Sequence, residues 1–212
     1  MIDPVTNWGG RAVPGSIGYR LVATFRTAWL RAAHEAWLGK PEGTRPTFAA
    51  PQGEAAMRAL ARARPPALVP PGHANWDAFN DAVLRTVLER VDEDAGGELA
   101  RYTWGAYNRA GVQHSLAKAI PGLGWLTDPP NPPIAGDTGV PRAHGPGHGA
   151  SERFAVSPGF ERDGIFHMPG SQTAHPWSPY YLAGHEAWVH GRAAPFLPGP
   201  ARWRLELRPA PR

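Results

Sequence analysis

The sequence contains no cysteine, and only two of its basic residues are lysines. Without cysteine the chain has no disulfide bond, no thiolate nucleophile and no cysteine-ligated zinc. Arginine therefore supplies nearly all the positive charge, and the arginines are scattered along the chain although the net charge is +4. A nucleic-acid surface needs a clustered basic stripe, so nucleic acid is not expected as a partner.

Long apolar runs and targeting features are also missing. No run reaches the roughly 18 apolar residues that a membrane helix needs. The first residues, Met1-Ile-Asp-Pro4, lack the basic start and the apolar stretch of a signal peptide. We therefore expect no membrane-spanning segment, and the residues themselves leave the compartment open.

Glycine, proline and tryptophan are instead abundant. The 212 residues include 25 Gly, 25 Pro and nine Trp, and 42% of the residues are hydrophobic. Because disordered chains are poor in aromatic residues, this composition favours a loop-rich globular protein.

The first 95 residues are predicted to be mainly helical. Apolar residues recur at helical spacing over 16–38, where Ser16 is suited to cap the helix, and a short helix is expected over 54–63. Asn75 is suited to cap a third helix. The predicted apolar face of that helix consists of Phe79, Val83, Val87, Leu88 and Val91.

Residues 96–212 are predicted to contain short strands, long loops and one last helix. Ser178-Pro179 is suited to begin that helix, which would continue through Val189. The range 121–149 carries seven prolines and seven glycines and predicts a long loop. Helices followed by strands indicate an α+β fold class. The expected strands lie at 102–104, 154–156, 165–166 and 203–207.

The histidines lack the spacing of a metal site. His144 and His148 lie in a Gly/Pro-rich loop, and His185 and His190 are five residues apart. Two ligands on one helix face need a spacing of four. We therefore predict surface or hydrogen-bonded histidines and no metal site in this chain.

A serine nucleophile has little local support. Gly149-Ala-Ser151-Glu-Arg153 resembles a nucleophile elbow only in part, because Arg153 replaces the second glycine and a strand follows. A Ser–His–Asp triad assembled in space stays open. Glu152 and Arg153 are interpreted as solvated charges, with a carboxylate held near an active site as the alternative.

Three aromatic residues beside turns allow two interpretations. Trp177, Tyr180 and Tyr181 could form a stacking surface for a ligand, or they could bury their rings and use the polar tip for one hydrogen bond. Buried rings are the commoner arrangement, so we predict that these residues belong to the core.

A series of short motifs resembles the penicillin acylase (penicillin amidase) family, specifically the C-terminal part of its β subunit. No single motif is decisive, but their number and order make the resemblance specific, and they extend along nearly the whole chain. The motifs are Trp8-Gly-Gly-Arg-Ala12, Gly18-Tyr-Arg-Leu-Val22, Phe25-Arg26, Asn75-Trp76-Asp77, Thr103-Trp-Gly105 with Asn108 and His114, Gly136-Asp137, Pro141-Arg142, Gly149-Ala-Ser-Glu-Arg153, the run 164–200, and Leu205-Glu-Leu-Arg-Pro209.

The resemblance implies an N-terminal-nucleophile hydrolase fold, a four-layer αββα sandwich of which this chain would be an incomplete part. In this family a precursor cleaves itself and exposes a serine at the new β-chain N-terminus. That serine attacks the amide carbonyl while its own α-amine acts as base, and backbone N–H groups with an Asn side chain stabilise the oxyanion. The implied substrates are penicillin, cephalosporin or acyl-homoserine-lactone-type amides.

By this resemblance residue 1 falls inside the β subunit. The nucleophile, the oxyanion-hole Asn and the calcium ligands are then expected upstream, so no cofactor is expected in this chain. Its partners would be the α subunit and the first part of the β subunit, and the chain alone would be inactive. A non-catalytic binding module derived from the same scaffold is the alternative. Glu152, Gln172 and His175 are the tentative residues near the site.

Two further implications come from the resemblance. Relatives are often exported to the periplasm. Where relatives have glycines, the loop Gly170–Pro176 has Ser171 and Ala174. Backbone positions that need positive φ would be strained there, so the loop geometry is expected to differ.

Overall fold

The computed structural model describes residues 2–39 and 51–209. These residues form two compact units, divided between Asn108 and Arg109. The first unit is helical, and the second combines short helices with two small antiparallel sheets. The fold class is therefore α+β, as predicted.

Five α-helices lie in the described part of the first unit. They are α1 (Ile2–Thr6), α2 (Ile17–Leu38), α3 (Pro51–Ala63), α4 (Trp76–Ala95) and α5 (Trp104–Tyr107). The caps predicted for α2 and α4 are confirmed. The Ser16 side chain accepts a hydrogen bond from the Tyr19 N–H at 3.0 Å, and the Asn75 side chain accepts one from Ala78 at 2.8 Å. Each cap satisfies an N–H group that has no partner inside the helix.

The core of the first unit lies where α2 packs against α4. Leu88 was expected on the buried face, but it is 38% exposed, because it lies about 100° around the helix from Val87. Arg20 is buried and forms an ion pair with Asp94 while its guanidinium lies 3.7 Å from the centre of the Tyr102 ring. Two clusters of buried residues form this core: Leu21, Val87, Val91, Ala95 and Tyr102, and Trp29, Ala33, Trp76, Phe79 and Val83.

The strand predicted at 102–104 is wrong. Thr103 caps α5 instead, and its side chain accepts a hydrogen bond from the Ala106 N–H at 3.3 Å. The backbone N–H groups of Trp104 and Gly105 donate to the carbonyls of Ser16 and Pro14. Threonine favours both strands and helix caps, so three residues alone do not decide between them.

The described part of the second unit contains two α-helices and two β-hairpins. The helices are α6 (Leu123–Thr127) and α7 (His185–His190). Strand β1 (His144–Gly145) pairs with β2 (His148–Gly149), and β3 (Arg153–Ala155) pairs with β4 (Ile165–His167), both antiparallel. The loop predicted over 121–149 therefore contains α6 and the first hairpin. The buried core of this unit consists of Ala110, Ile134, Trp188 and Val189.

Two further predictions in the second unit are wrong. The last helix begins at His185 and not at Ser178, because residues 178–184 form successive turns and Gly184 has φ +88°, which interrupts a right-handed helix. The range 203–207 is not a strand, because it has no strand partner in the described part of the chain. The strands expected near 154–156 and 165–166 are confirmed as β3 and β4.

Candidate functional site

A pocket of about 160 Å³ opens in the second unit. It is bordered by residues 112–114, Thr127, Pro129, 169–171, Thr173, Tyr181 and Leu182. The last six of these lie in the run 164–200, one of the pieces on which the family resemblance rests. Its apolar wall comes from Val112, Pro129, Pro169 and Leu182, and its polar groups from Gln113, His114, Thr127, Ser171, Thr173 and Tyr181.

Hydrogen bonds between distant segments hold this pocket together. The Tyr181 hydroxyl donates to the carbonyl of Thr127 at 2.7 Å, which links the side of the pocket formed by Tyr181 to the end of α6. The Ser171 N–H donates to the Tyr181 carbonyl at 3.3 Å. Nδ1 of His185, at the start of α7, donates to the Pro169 carbonyl at 2.7 Å. The pocket is therefore fixed by backbone carbonyls and not only by apolar contact.

The polar side chains of the lining carry hydroxyl, amide and imidazole groups, and none of them is Asp, Glu, Lys or Arg. Nδ1 of His114 accepts from the Leu116 N–H at 3.2 Å, so in the neutral ring Nε2 carries the hydrogen. The hydroxyl oxygens of Ser171 and Thr173 accept from the N–H groups of Thr173 and His175, which leaves each hydroxyl hydrogen available to donate. Such a lining suits a small apolar group that carries a carbonyl or another acceptor.

The three tentative site residues are all exposed. Gln172 lies between the lining residues Ser171 and Thr173, and its Nε2 is 3.5 Å from the Met168 sulfur. His175 follows on the same segment, with its ring centre 5.7 Å from that of Trp177. Glu152 lies just before β3, next to Arg153. Gln172 and His175 thus share one segment beside the pocket, and the roles of all three stay predictions.

The prediction that the turn aromatics belong to the core is wrong for two of the three. Trp177 is 74% exposed and Tyr180 is 69% exposed. Tyr181 is partly buried and uses its hydroxyl for one hydrogen bond, as the prediction stated. The turns at 175–181 leave the rings of Trp177 and Tyr180 facing solvent, since no helix forms there to carry the three rings onto one buried face.

Ser151 is exposed and does not belong to the lining of the pocket described above. The residues after it enter β3, as the sequence indicated, and not a helix. This geometry differs from a nucleophile elbow, in which the serine stands on a sharp turn from strand into helix.

Two of the four histidines tested for metal spacing are buried. His144 and His185 are each 2% exposed, and their rings contact Trp188 with centres 5.7 Å and 6.1 Å away. His148 and His190 are exposed. Within residues 2–39 and 51–209, no group of three or more His, Asp or Glu side chains is placed to hold a metal ion.

None of the helices in these two ranges combines the length and the apolar character that a membrane-spanning helix needs.

Sequence reasoning missed a basic cluster around the same tryptophan. Arg142 and Arg153 both donate to the carbonyl of Trp188, one from the segment before β1 and the other from β3. Burial lowers the pKa of Arg142 below its ordinary value. Burial and then the charge of Arg142 lower the pKa of Arg153 to about 10. The two arginines meet at the Trp188 carbonyl of α7, which is 46 and 35 residues away from them along the chain, so no local sequence signal revealed the cluster.

This α+β chain, with a small pocket held by backbone carbonyls, has an amidohydrolase-like scaffold, since the profile of the penicillin amidase family matches it over residues 2–203. The match covers nearly the whole chain. The protein belongs to the penicillin amidase family. No curated protein matches the chain.

Proposed function

We propose that this chain is the C-terminal part of the β subunit of a penicillin acylase-type enzyme that cleaves acyl-amide bonds. The observation that carries the proposal is the family match over residues 2–203. The ordered motifs from Trp8 to Pro209 support the placement within the β subunit, since the resemblance follows their order along the chain. The substrates would be penicillin, cephalosporin or acyl-homoserine-lactone-type amides.

The nucleophile in this proposal is an N-terminal serine on a segment that precedes residue 1. An α-amine has a pKa of about 8, so it can accept the serine proton near neutral pH. The oxyanion-hole Asn and the calcium ligands would lie on the same preceding segment. The exposed Ser151, which leads into a strand, supports a nucleophile elsewhere.

The remainder of the acylase is the proposed partner, and it would complete an αββα sandwich. Two features support this partner. The hairpins β1–β2 and β3–β4 have only two strands each, and two-stranded sheets are marginally stable alone. The apolar residues at 203–207 alternate and are exposed, as in a strand that pairs with another sheet. Export to the periplasm is part of the same proposal.

The pocket and its neighbouring residues would contribute to substrate contacts only in the complete enzyme. Gln172 and His175 lie on the segment beside the pocket, and Glu152 lies just before β3. A pocket of about 160 Å³ has room for a small acyl or amine group. In this proposal it forms one wall of a larger site.

Amide hydrolysis by the chain with and without the preceding polypeptide tests the proposal. The purified chain alone should not hydrolyse phenylacetyl amides or acyl-homoserine lactones. Co-expression with the polypeptide encoded upstream should restore turnover, and replacement of that polypeptide's new N-terminal serine by alanine should abolish it. The matched control is Ser151→Ala in this chain, which should leave turnover unchanged.

Two results would contradict the proposal. Turnover by the chain alone that is lost in Ser151→Ala would indicate a self-contained serine hydrolase. Saturable binding of the amides without turnover, in the presence of the upstream polypeptide, would indicate a non-catalytic binding module.

A further inference from the structure

The pocket of about 160 Å³ is formed by the second unit alone, because all the residues that line it follow Arg109 in the chain. Hydrogen bonds join its sides. The backbone N–H of His114 donates to the Asp128 carboxylate at 2.8 Å, and the Tyr181 hydroxyl donates to the Thr127 carbonyl at 2.7 Å. The walls are therefore held by bonds within the protein, and little ordering of side chains opposes the binding of a small molecule.

The volume and the apolar wall set the size of a ligand. Val112, Pro129, Pro169 and Leu182 form the apolar wall, and Leu182 is 38% exposed. An apolar cavity of about 150 Å³ holds one benzene ring. The pocket therefore has room for a single ring or for an aliphatic group of similar size. Contact with such a group removes apolar surface of the wall from water, which favours binding.

The lining offers no counter-charge to a charged ligand, since none of its side chains is Asp, Glu, Lys or Arg. Asp128 stands between the lining residues Thr127 and Pro129, but its carboxylate accepts from the His114 N–H and is not part of the lining. Taking an unpaired charge out of water costs free energy. An uncharged molecule is therefore favoured over a carboxylate or an ammonium ion of the same size.

Ser171 presents a held hydroxyl group in this lining. Its Oγ accepts from the Thr173 N–H at 3.1 Å, and its backbone N–H donates to the Tyr181 carbonyl at 3.3 Å. These bonds fix the residue and leave the hydroxyl hydrogen available to donate. A carbonyl oxygen accepts hydrogen bonds and carries no hydrogen of its own, so it complements this donor.

We propose that the pocket binds an uncharged molecule that combines an apolar group the size of one ring with a carbonyl oxygen, and that Ser171 donates to this oxygen. The inference goes beyond the proposed function, because it concerns binding by this chain alone. It holds whether or not the chain forms part of an acylase.

Three probes of nearly the same size and shape test the charge preference in the full chain. Benzamide is uncharged, benzoate is an anion and benzamidinium is a cation at neutral pH. Each is titrated at constant ionic strength, and the backbone N–H signals are followed by NMR. Benzamide should give saturable shifts at Val112, Ser171 and Leu182 and leave the signals of α4 unchanged. Benzoate and benzamidinium should bind at least about tenfold more weakly.

Ser171→Ala tests the hydrogen bond to the ligand. Loss of one neutral hydrogen bond should weaken benzamide binding about fivefold. The matched control is Ser178→Ala. The Ser178 oxygen also accepts from the N–H two residues later, at 3.2 Å, but Ser178 does not line the pocket. Benzamide affinity should therefore stay unchanged in Ser178→Ala.

Four results would overturn the proposal. They are benzamide shifts that do not saturate or that lie outside the pocket, binding of either charged probe as tight as that of benzamide, unchanged affinity in Ser171→Ala, and an equal loss in Ser178→Ala. The comparison of the three probes uses the unaltered chain, so it decides the charge preference even where a variant fails to fold. Binding by the chain and turnover with the upstream polypeptide are separate measurements, so this proposal and the proposed function can fail independently.

Discussion

The imidazole of His144 is buried beside two guanidinium groups, and its pKa lies below the ordinary value of 6.5. Burial is the largest cause. The charges of Arg153 and Arg142 and the neighbouring His148 add to it, while the hydrogen bond to the Arg109 carbonyl opposes it. The unfolded chain therefore binds a proton at His144 more readily than the folded chain does. The contribution of His144 to the free energy of unfolding is therefore fully present above about pH 6.5, and it is lost as the pH falls toward the lowered pKa.

We predict that His144→Gln flattens the pH dependence of stability. The free energy of unfolding of the unaltered chain should fall below pH 6.5, with His144 contributing at most about 1.4 kcal/mol for each pH unit. Glutamine can still donate to the Arg109 carbonyl but does not titrate. Urea unfolding between pH 5.5 and 7.5 measures the slope. His175→Gln, at an exposed histidine that is not among the causes of the His144 shift, should keep the slope, and an unchanged slope in His144→Gln would contradict the assignment.

Among the elements, α7 begins at a different residue in the structure than its sequence pattern predicts. A helix that began at Ser178 would have Ser178 as its cap and Gly184 in its interior. The structure instead has Gly184 at φ +88° before α7, and the Ser178 hydroxyl accepts only from the Tyr180 N–H at 3.2 Å. The two arrangements predict opposite effects on stability when Gly184 is replaced by alanine.

We predict that Gly184→Ala destabilises the chain by about 1 kcal/mol, because an L-residue in the left-handed region is strained. Steric contact does not contribute, since the nearest atom to an added Cβ, the Met168 oxygen, would be 3.7 Å away. Ser178→Ala should change stability by less than about 0.5 kcal/mol. Thermal and urea unfolding measure both. Stabilisation by Gly184→Ala together with a loss of about 1 kcal/mol in Ser178→Ala would show that the helix begins at Ser178.

Helix caps with local partners were predictable, whereas some features that depend on a distant partner were not. Ser16 and Asn75 cap their helices through bonds three residues away, so the sequence contains both partners. The segment 203–207 alternates like a strand but pairs with nothing among the described residues. Gln172 and His175 lie on the segment beside the pocket, and their role stays a prediction. The convergence of Arg142 and Arg153 on the Trp188 carbonyl joins residues far apart in the chain, which no local pattern records.

For the whole molecule, the order of short motifs identified the family although several elements between them were assigned wrongly. The motif that begins at Gly149 is recognisable in the sequence, although the strand that contains Gly149 is only two residues long. Glycine is required there by the approach of His144 and of the Trp188 ring, 3.2 Å from an added Cβ. Packing of this kind fixes residue identity at single positions, so the motif is recognisable without correct secondary structure. The exposed side chains of Gln172 and His175 are not fixed by packing in this way.

The apolar residues at 203–207 are the largest exposed apolar side chains near the end of the described chain. Trp203, Leu205 and Leu207 are 93%, 85% and 86% exposed and alternate along an extended backbone. An unpaired apolar segment of this kind pairs with other chains. We predict that the isolated chain self-associates and that replacing all three residues by serine reduces the association, as measured by sedimentation velocity over a range of concentrations. The melting temperature should stay unchanged, because side chains so exposed contribute little packing.

The intervening positions supply the matched control for this prediction. Arg202, Arg204 and Glu206 are exposed on the same segment, and replacing them by serine leaves the three apolar side chains in place. Self-association should therefore persist in that variant. If both variants associate like the unaltered chain, another surface mediates the contact, and the exposed Trp125 and Trp177 are the next to replace. Suppose that only the apolar variant becomes monomeric and that the proposed upstream polypeptide also abolishes self-association of the unaltered chain. The segment 203–207 would then be the part of this chain that joins the rest of the proposed enzyme.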